Sequence, residues 1–339
     1  MDELVQQQIK LVEAKKRDEV PWKMDIAYDQ PYYNYEGQQW KEQTPDLSSN
    51  VSSSRDTISK LALYSWNIDF MLPFANSRMS AALSHLQKII TDAKDQDSTA
   101  RVVYLQECVA SDVKLIANNA WIRETFALSD VSTDNWQSGH YGTISLIDRR
   151  LPIASCFRVH YSETRMERDV LIVDVKVKDK TIRFCNTHLE SLAFEPQRRI
   201  PQMKLCAKYM QDESVDGALL AGDLNAIQDF DRTLHSDNGL KDAYLELGGA
   251  EDDASGHTWG QQAATVQRER FGTSRMDKVF FHGDVGLLSF EQFGRDVLVE
   301  DAAEQEQLIQ LGFDKPWITD HLGVMATFAV ADSPPHGQL

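Results

Sequence analysis

The sequence predicts an α/β sandwich, and three observations carry that reading. Short, wholly apolar runs of strand length recur along the chain. Helical patterns are interspersed among them. The segments "VLIVDVKV" (170–177) and "TIRFCNT" (181–187) flank Lys178-Asp179-Lys180 as an antiparallel hairpin, which fits poorly with a purely parallel, doubly wound sheet.

In chain order, residues 4–18 show weak helical periodicity through Val5, Ile9 and Val12. An aromatic stretch follows, with Trp22, Tyr28, Tyr32, Tyr33, Tyr35 and Trp40, suited to packing on the main body or to binding a partner. "LSSNVSSSRD" (47–56) reads as a linker. The expected organisation is an extension over 1–56, one main domain over 57–332 and a flexible tail over 333–339. "LALYSW" (61–66) opens the main body as a strand. Ser77 is the expected N-cap of a helix to about residue 95, with Met79, Leu83, Leu86 and Ile90 on one face. "VVYLQ" (102–106) and "TISLI" (143–147) are strands, and 195–211 is a helix with Met203, Ala207 and Met210 inward. "ALLAG" (218–222), "KVFF" (278–281) and "GVMATFAV" (323–330) are further strands. Residues 251–257, 262–275 and 299–307 read as long surface segments.

The bulk numbers narrow the function. The 339 residues are 42% hydrophobic and carry a formal net charge of −17, which disfavours a protein that coats duplex nucleic acid non-specifically. Such a chain can still bind phosphates locally through a metal ion. Cys108, Cys156, Cys185 and Cys206 form no C-x-x-C pair and are expected to be reduced core residues. The amino terminus does not read as a signal peptide, and no run is long enough to span a bilayer. The expected setting is intracellular, nuclear or cytoplasmic, with no membrane partner and a monomeric state.

The apolar runs repeatedly end in chemically capable groups. Strand 61–66 delivers Asn67, 102–106 delivers Glu107, 181–187 delivers His188, and 218–222 delivers Asp223 and Asn225. Asp320 and His321 precede the last strand. Strand ends are rigid mounts, and such groups in company point to one functional edge. Hard carboxylates with amide help suit Mg²⁺, with Mn²⁺ as a substitute, while zinc, activated-serine and P-loop patterns are missing from the sequence.

"SWNID" (65–69), "LQE" (105–107), "THLES" (187–191), "GDLN" (222–225), "RMDKVFF" (275–281) and "TDH" (319–321) occur in the order found in the endonuclease/exonuclease/phosphatase superfamily, which this chain resembles over about residues 60–331. Within it the chain is most similar to the tyrosyl-DNA phosphodiesterase 2 family, through "SWNID", "NTHLES" with Arg198, Arg199 and Gln202, "HTWG" (257–260), "YGTISL" (141–146) and "ETRMERDVL" (163–171). The resemblance implies a four-layer α/β sandwich of two packed mixed sheets flanked by helices. It implies a Mg²⁺-dependent enzyme that hydrolyses a 5′-phosphotyrosyl bond on DNA, its substrate being a DNA 5′ end bearing a protein adduct.

The roles follow the motifs. Glu107 is the expected main metal ligand, with Asn67 beside it and Asp320 in the outer shell. Asp223 is the expected general base for water, with Asn225 holding the water or the phosphate. His188 and His321 are expected on the non-bridging phosphate oxygens, with Asp277 orienting His321. Tyr141, Arg168, Ser191 and Trp259 are substrate contacts by resemblance, and Glu190 is expected to be structural. Two departures fall at substrate contacts: Ile227 stands where the family has an arginine, and the family's T-W-D-T is reduced to Thr-Trp-Gly. The alternatives are another phosphodiesterase, nuclease or phosphatase of the superfamily, such as one acting on abasic sites, or a catalytically silent scaffold.

Overall fold

A strand buried on one face alternates, whereas a strand buried on both faces reads as a continuous apolar run. The runs here are of the second kind because two sheets pack face to face and each is covered again by helices. The computed structural model describes residues 2–44 and 57–330. The expected linker, 47–56, and tail, 333–339, lie outside the described residues.

The first half comprises α1 (Asp2–Lys15), β1 (Ala27–Asp29), β2 (Tyr32–Glu36), β3 (Gln39–Gln43), β4 (Lys60–Asn67), α2 (Ala75–Thr91), β5 (Thr99–Val109), α3 (Ala110–Asn118), α4 (Ala120–Thr125), β6 (Phe126–Leu128) and β7 (Tyr141–Asp148). The second comprises β8 (Ile153–His160), β9 (Asp169–Val177), β10 (Lys180–His188), α5 (Arg199–Met210), β11 (Gly217–Asp223), β12 (Lys241–Asp242), α6 (Ala243–Glu246), α7 (Thr265–Phe271), β13 (Asp277–Gly283), β14 (Val285–Phe293), α8 (Ala302–Gln310) and β15 (Gly323–Val330). One sheet runs β1-β8-β9-β10-β11-β13-β12, the other β14-β15-β4-β5-β7-β6-β2-β3.

Alternate residues of one strand serve different layers. Leu61, Leu63, Val102 and Tyr104 meet Leu171, Val173, Phe184, Leu219 and Val279 between the sheets. Ala62, Tyr64, Val103 and Leu105 face outward onto Met79, Leu83, Leu86 and Ile90 of α2. On the other outer face, Val170, Ile172, Cys185 and Leu220 meet Met203, Cys206, Ala207 and Met210 of α5. The result is an α/β/β/α sandwich. A buried polar bridge ties the sheets together: Gln106 Nε2 donates to Asn186 Oδ1 at 2.8 Å, and Asn186 Nδ2 donates to the Ile144 carbonyl at 2.9 Å.

Several expectations need correcting. Ser77 does not cap α2. The helix starts three residues earlier, at Ala75, after Phe74 in a left-handed conformation (φ 64°), and no side chain caps it. The buried Arg78 guanidinium instead satisfies the carbonyls of Leu72, Pro73 and Ile68 just ahead of the helix. The helix stops at Thr91, where Gln96 Nε2 takes the carbonyls of Ile90, Thr91 and Ala93. The segments read as surface at 262–275 and 299–307 hold α7 and α8, and Gln262, Ala263 and Ala264 are buried. The aromatic stretch packs on the main body: β1 extends one sheet beside β8, and β2 pairs with β6 in the other. Trp22 stacks on His160 with ring centroids 4.2 Å apart. The four cysteines are buried and unbridged.

Candidate functional site

Topology explains why the polar strand ends meet. Strands β4 and β5 are parallel, as are β10 and β11, so each pair finishes together, with His188 beside Asp223, and the hydrogen bond from Asn67 to Asp223 brings the two ends to one edge. Strand β13 is antiparallel to β11 and starts at that edge, placing Asp277 opposite Asp223. Strand β15 also starts there, just after Asp320 and His321.

The backbone is bent to aim these groups. The pairing of β5 with β7 slips between Leu105 and Cys108, and Glu107 sits in the slip at φ 59°. Asp69 and Asn225 likewise have positive φ, at 57° and 48°. Gly222 in "GDLN" is required sterically. Its φ is +153°, and a Cβ there would lie 1.7 Å from the Thr187 carbonyl oxygen.

Asp223 is held at both oxygens. Oδ1 accepts from the Asn225 backbone at 2.8 Å and Oδ2 from Asn67 Nδ2 at 2.9 Å. The other end of the Asn67 amide accepts from the Asp69 N–H at 2.9 Å. The Asn225 side chain is turned back to donate to the Leu189 carbonyl at 3.0 Å. Glu107 accepts from the Phe70 N–H at 2.9 Å. Burial raises the pKa of the Asp223 and Glu107 carboxyls, and neighbouring carboxylates add to the rise. Asp69 is raised well above the usual range by burial, then by Asp320 and Glu107.

The two histidines sit in opposite electrostatic settings. Burial, then Arg168 and His321, hold His188 well below the ordinary imidazole value, so the ring is neutral. Arg168 Nη1 donates to its Nδ1, which puts the ring proton on Nε2. That Nε2 lies 3.4 Å from Asp223 Oδ2 and 3.7 Å from Glu107 Oε1, with no hydrogen-bond partner. Burial would also lower His321, but Asp277, then Asp223 and Asp320, overcome it and raise its pKa well above the ordinary value. Its Nδ1 is 2.8 Å from Asp277 Oδ2, and its Nε2 is 3.7 Å from Asp223 and from Asp320.

The expected substrate contacts form two flanks. On one, Arg168 Nη2 donates to Ser191 Oγ at 3.0 Å and the guanidinium lies 5.1 Å from the Tyr141 ring centroid. The Tyr141 hydroxyl is committed to the Met166 carbonyl at 2.6 Å. On the other, Trp259 Nε1 donates to Asp320 Oδ2 at 2.7 Å. Glu190 accepts from Thr164 Oγ1, the Arg165 N–H and Gln202 Nε2, so it joins the loop after β10 to α5.

Asp69, Phe70 and Arg78 had no assigned part in the sequence reading. Phe70 stacks on Tyr141 at 4.3 Å, almost parallel, while its N–H holds Glu107. Arg78 also reaches the Ile318 carbonyl, fastening the "TDH" loop to the "SWNID" loop. Asp69 lies inside "SWNID", and that was the available signal. Donor atoms of Glu107, His188 and Asp223, and of Asp223, Asp277 and His321, lie within 4.8 Å of one another, close enough to share a cation.

Three comparisons agree with this arrangement. Human tyrosyl-DNA phosphodiesterase 2 is 26% identical over 191 residues, covering 55% of this chain and 48% of the relative. The 5′-tyrosyl-DNA phosphodiesterase of Caenorhabditis briggsae is 25% identical over 242 residues, covering 70% and 63%. The chain thus spans about half to two-thirds of the length of these relatives. The crystal structure of D. rerio TDP2 complexed with single strand DNA product shares the fold, with a TM-score of 0.59 at 20% identity, covering 80% of this chain and 99% of that one. The sequence pattern of one family spans the site's contributing strands and loops, from residue 64 to residue 321, and by that match the chain belongs to the Endonuclease/Exonuclease/phosphatase family.

Proposed function

We propose that the protein is a Mg²⁺-dependent phosphodiesterase that hydrolyses a 5′-phosphotyrosyl bond, or a closely related diester, at a DNA end. The observation that carries this reading is the pairing of an unpartnered, neutral His188 N–H with a charged His321, both aimed at one carboxylate-lined edge. Two such donors suit the non-bridging oxygens of a phosphodiester, where negative charge builds as the bond breaks. The likeness to the tyrosyl-DNA phosphodiesterases supports the choice of substrate, and the DNA product in the D. rerio structure supports a nucleic-acid end.

The donor set fits a hard cation. Glu107, Asp223, Asp69 and Asp320 place several carboxylates in a largely buried edge, where burial first and neighbouring carboxylates second raise the pKa values of Glu107 and Asp69. Glu107 is the principal ligand in this proposal, with the Asn67 amide beside it and Asp320 farther out. A bound Mg²⁺ would supply charge neutralisation at the phosphoryl group.

Asp223 takes the proton of the attacking water. Its raised pKa makes it a stronger base than a free aspartate, and Asn67 and Asn225 fix its plane. His188 donates through Nε2 while Arg168 fixes its tautomer. His321 donates as the imidazolium while Asp277 holds the ring. Asp320 fixes the Trp259 indole, and Ser191, Arg168 and Tyr141 shape the opposite flank. Incubation of the protein with a 5′-phosphotyrosyl oligonucleotide, an abasic duplex and an inositol phosphate, each with and without Mg²⁺, tests the reading. Preference for either of the last two would refute the substrate.

A further inference from the structure

We propose that Leu192 and Ile227 form an apolar rim that seats the base of the terminal nucleotide, and that this side of the site recognises a substrate by one phosphate and one base rather than by a run of backbone phosphates. The inference rests on the phosphodiesterase reading above and specifies its substrate class.

Both residues lie on loops that leave the catalytic edge together. The loop after β10 carries His188, Ser191 and Leu192, and the loop after β11 carries Asp223, Asn225 and Ile227. The loops are tied at their roots, where the Leu189 N–H donates to the Asp223 carbonyl at 3.0 Å and Asn225 Nδ2 returns to the Leu189 carbonyl. They are tied again farther out by the buried Arg199–Asp231 ion pair. Arg199 Nη1 donates to the Leu192 carbonyl at 2.7 Å and Nη2 to Gln228 Oε1 at 2.9 Å. Asp231 Oδ2 accepts from Arg199 at 2.7 Å and from the Ile227 N–H at 3.0 Å. The backbones of Leu192 and Ile227 are thus fastened to the same buried ion pair, and the two residues remain 57% and 43% exposed. Two fastened loops that present aliphatic groups beside a phosphate-binding edge make a contact surface for a flat, weakly polar group.

The nearby cations all have partners within the protein. Arg199 is spent on Asp231, and Arg198 pairs with Glu163 at 3.2 Å. Arg168 serves His188 and Ser191, and the Arg165 guanidinium lies over the Phe194 ring at 4.9 Å. Each additional phosphate gripped by a free cation would steepen the salt dependence of binding by about 0.7 log units per log unit of salt on a single strand. This rim offers apolar contact instead.

The test is a length series of 5′-phosphotyrosyl oligothymidylates of one, two, four and eight nucleotides, paralleled by the same series carrying p-nitrophenol in place of tyrosine. We expect kcat/KM to change less than about threefold from two to eight nucleotides, with a log–log salt slope shallower than about −1. The Leu192→Ser/Ile227→Ser double variant should raise KM about tenfold at every length and leave kcat within about twofold, because the exposed side chains support no core. Ile227→Arg should raise kcat/KM for the eight-nucleotide substrate alone and steepen its salt slope by about 0.7. A wild-type efficiency that climbs more than tenfold with length at a slope of −2 or steeper would overturn the proposal. So would an unchanged KM in the double variant. Turnover of the p-nitrophenyl series without the tyrosyl series would refute the tyrosyl substrate and leave the length comparison to decide the rim. If neither series turns over, fluorescence anisotropy of 5′-phosphorylated oligothymidylates applies the same length and salt criteria to binding.

Discussion

Replacing Gly222 with alanine tests whether the "GDLN" glycine is fixed by close approach of two strands under the site. The new Cβ would lie 1.7 Å from the Thr187 carbonyl oxygen and 2.8 Å from its carbon. Real Cβ atoms essentially never come within 3.0 Å of a neighbour, so β11 must retreat from β10 by about 1.3 Å or lose the pairing. Both obstructing atoms are backbone, so no side chain can turn aside. The displaced pair, Thr187 with Gly222, is one residue from His188 with Asp223. We therefore expect a stability loss of about 4 kcal/mol or more, in the class of severe backbone clashes. Activity should fall at least about 100-fold in whatever folds, because a displacement near 1 Å at reacting groups has that effect. Gly248→Ala is the control: its φ is +89°, yet nothing lies within 4 Å of the place its Cβ would take, so backbone strain alone should remove about 1 kcal/mol. Urea unfolding followed by tryptophan fluorescence, with turnover of thymidine 5′-monophosphate p-nitrophenyl ester, measures both effects. Equal midpoints for the two variants, or near-normal turnover by Gly222→Ala, would refute the reasoning.

Three further perturbations separate the contributions of individual groups. Asp277→Asn removes the carboxylate that does most to keep His321 charged, so kcat should fall about 10²- to 10⁴-fold and the alkaline limb of the rate profile should move to lower pH; an unmoved limb would remove the imidazolium from the mechanism. Glu107→Gln should raise the Mg²⁺ needed for half-maximal rate at least about tenfold and shrink the rise in melting temperature on adding Mg²⁺; unchanged values of both would exclude Glu107 as the main ligand. Burial pushes His160 down to about 4, below its unfolded value near 6.5. Across that window the unfolded chain takes the proton first, so stability is lost as pH falls from 6.5 to 4, by up to about 3 kcal/mol. His160→Phe should flatten that part of the stability profile, and an unchanged slope would assign it to other groups.

Much of this was legible because double-sided burial writes apolar runs into a sequence. The hairpin of β9 and β10 and strands β4, β5, β11 and β13 sit in layers with apolar neighbours on both sides, while β15 and helix α5 each turn one apolar face to the core. Strand β8, "IASCFRVH", was not legible, because Arg158 and His160 break its pattern. Arg158 is fully buried only because Asp130 and Asp169 flank it in space, from residues distant in the chain. Strand β14 escaped as a half-exposed edge strand with a register shift between Leu287 and Ser289. Short helices such as α7 carry too few turns to show a face. Within the site, Glu107, His188, Asp223 and His321 were readable as polar groups at strand ends. Phe70 and Arg78 act through a backbone N–H and backbone carbonyls, which no side-chain motif records.

The most direct measurement is single-turnover hydrolysis of a 5′-phosphotyrosyl oligonucleotide by the wild-type protein and by Asp223→Asn, with and without Mg²⁺. The wild-type protein should release tyrosine and a 5′-phosphorylated strand only when Mg²⁺ is present. Asp223→Asn should lose at least about 10³-fold in rate at unchanged thermal stability. Release without Mg²⁺, or comparable rates for the two proteins, would contradict the assignment of Asp223 as the base of a Mg²⁺-dependent phosphodiesterase.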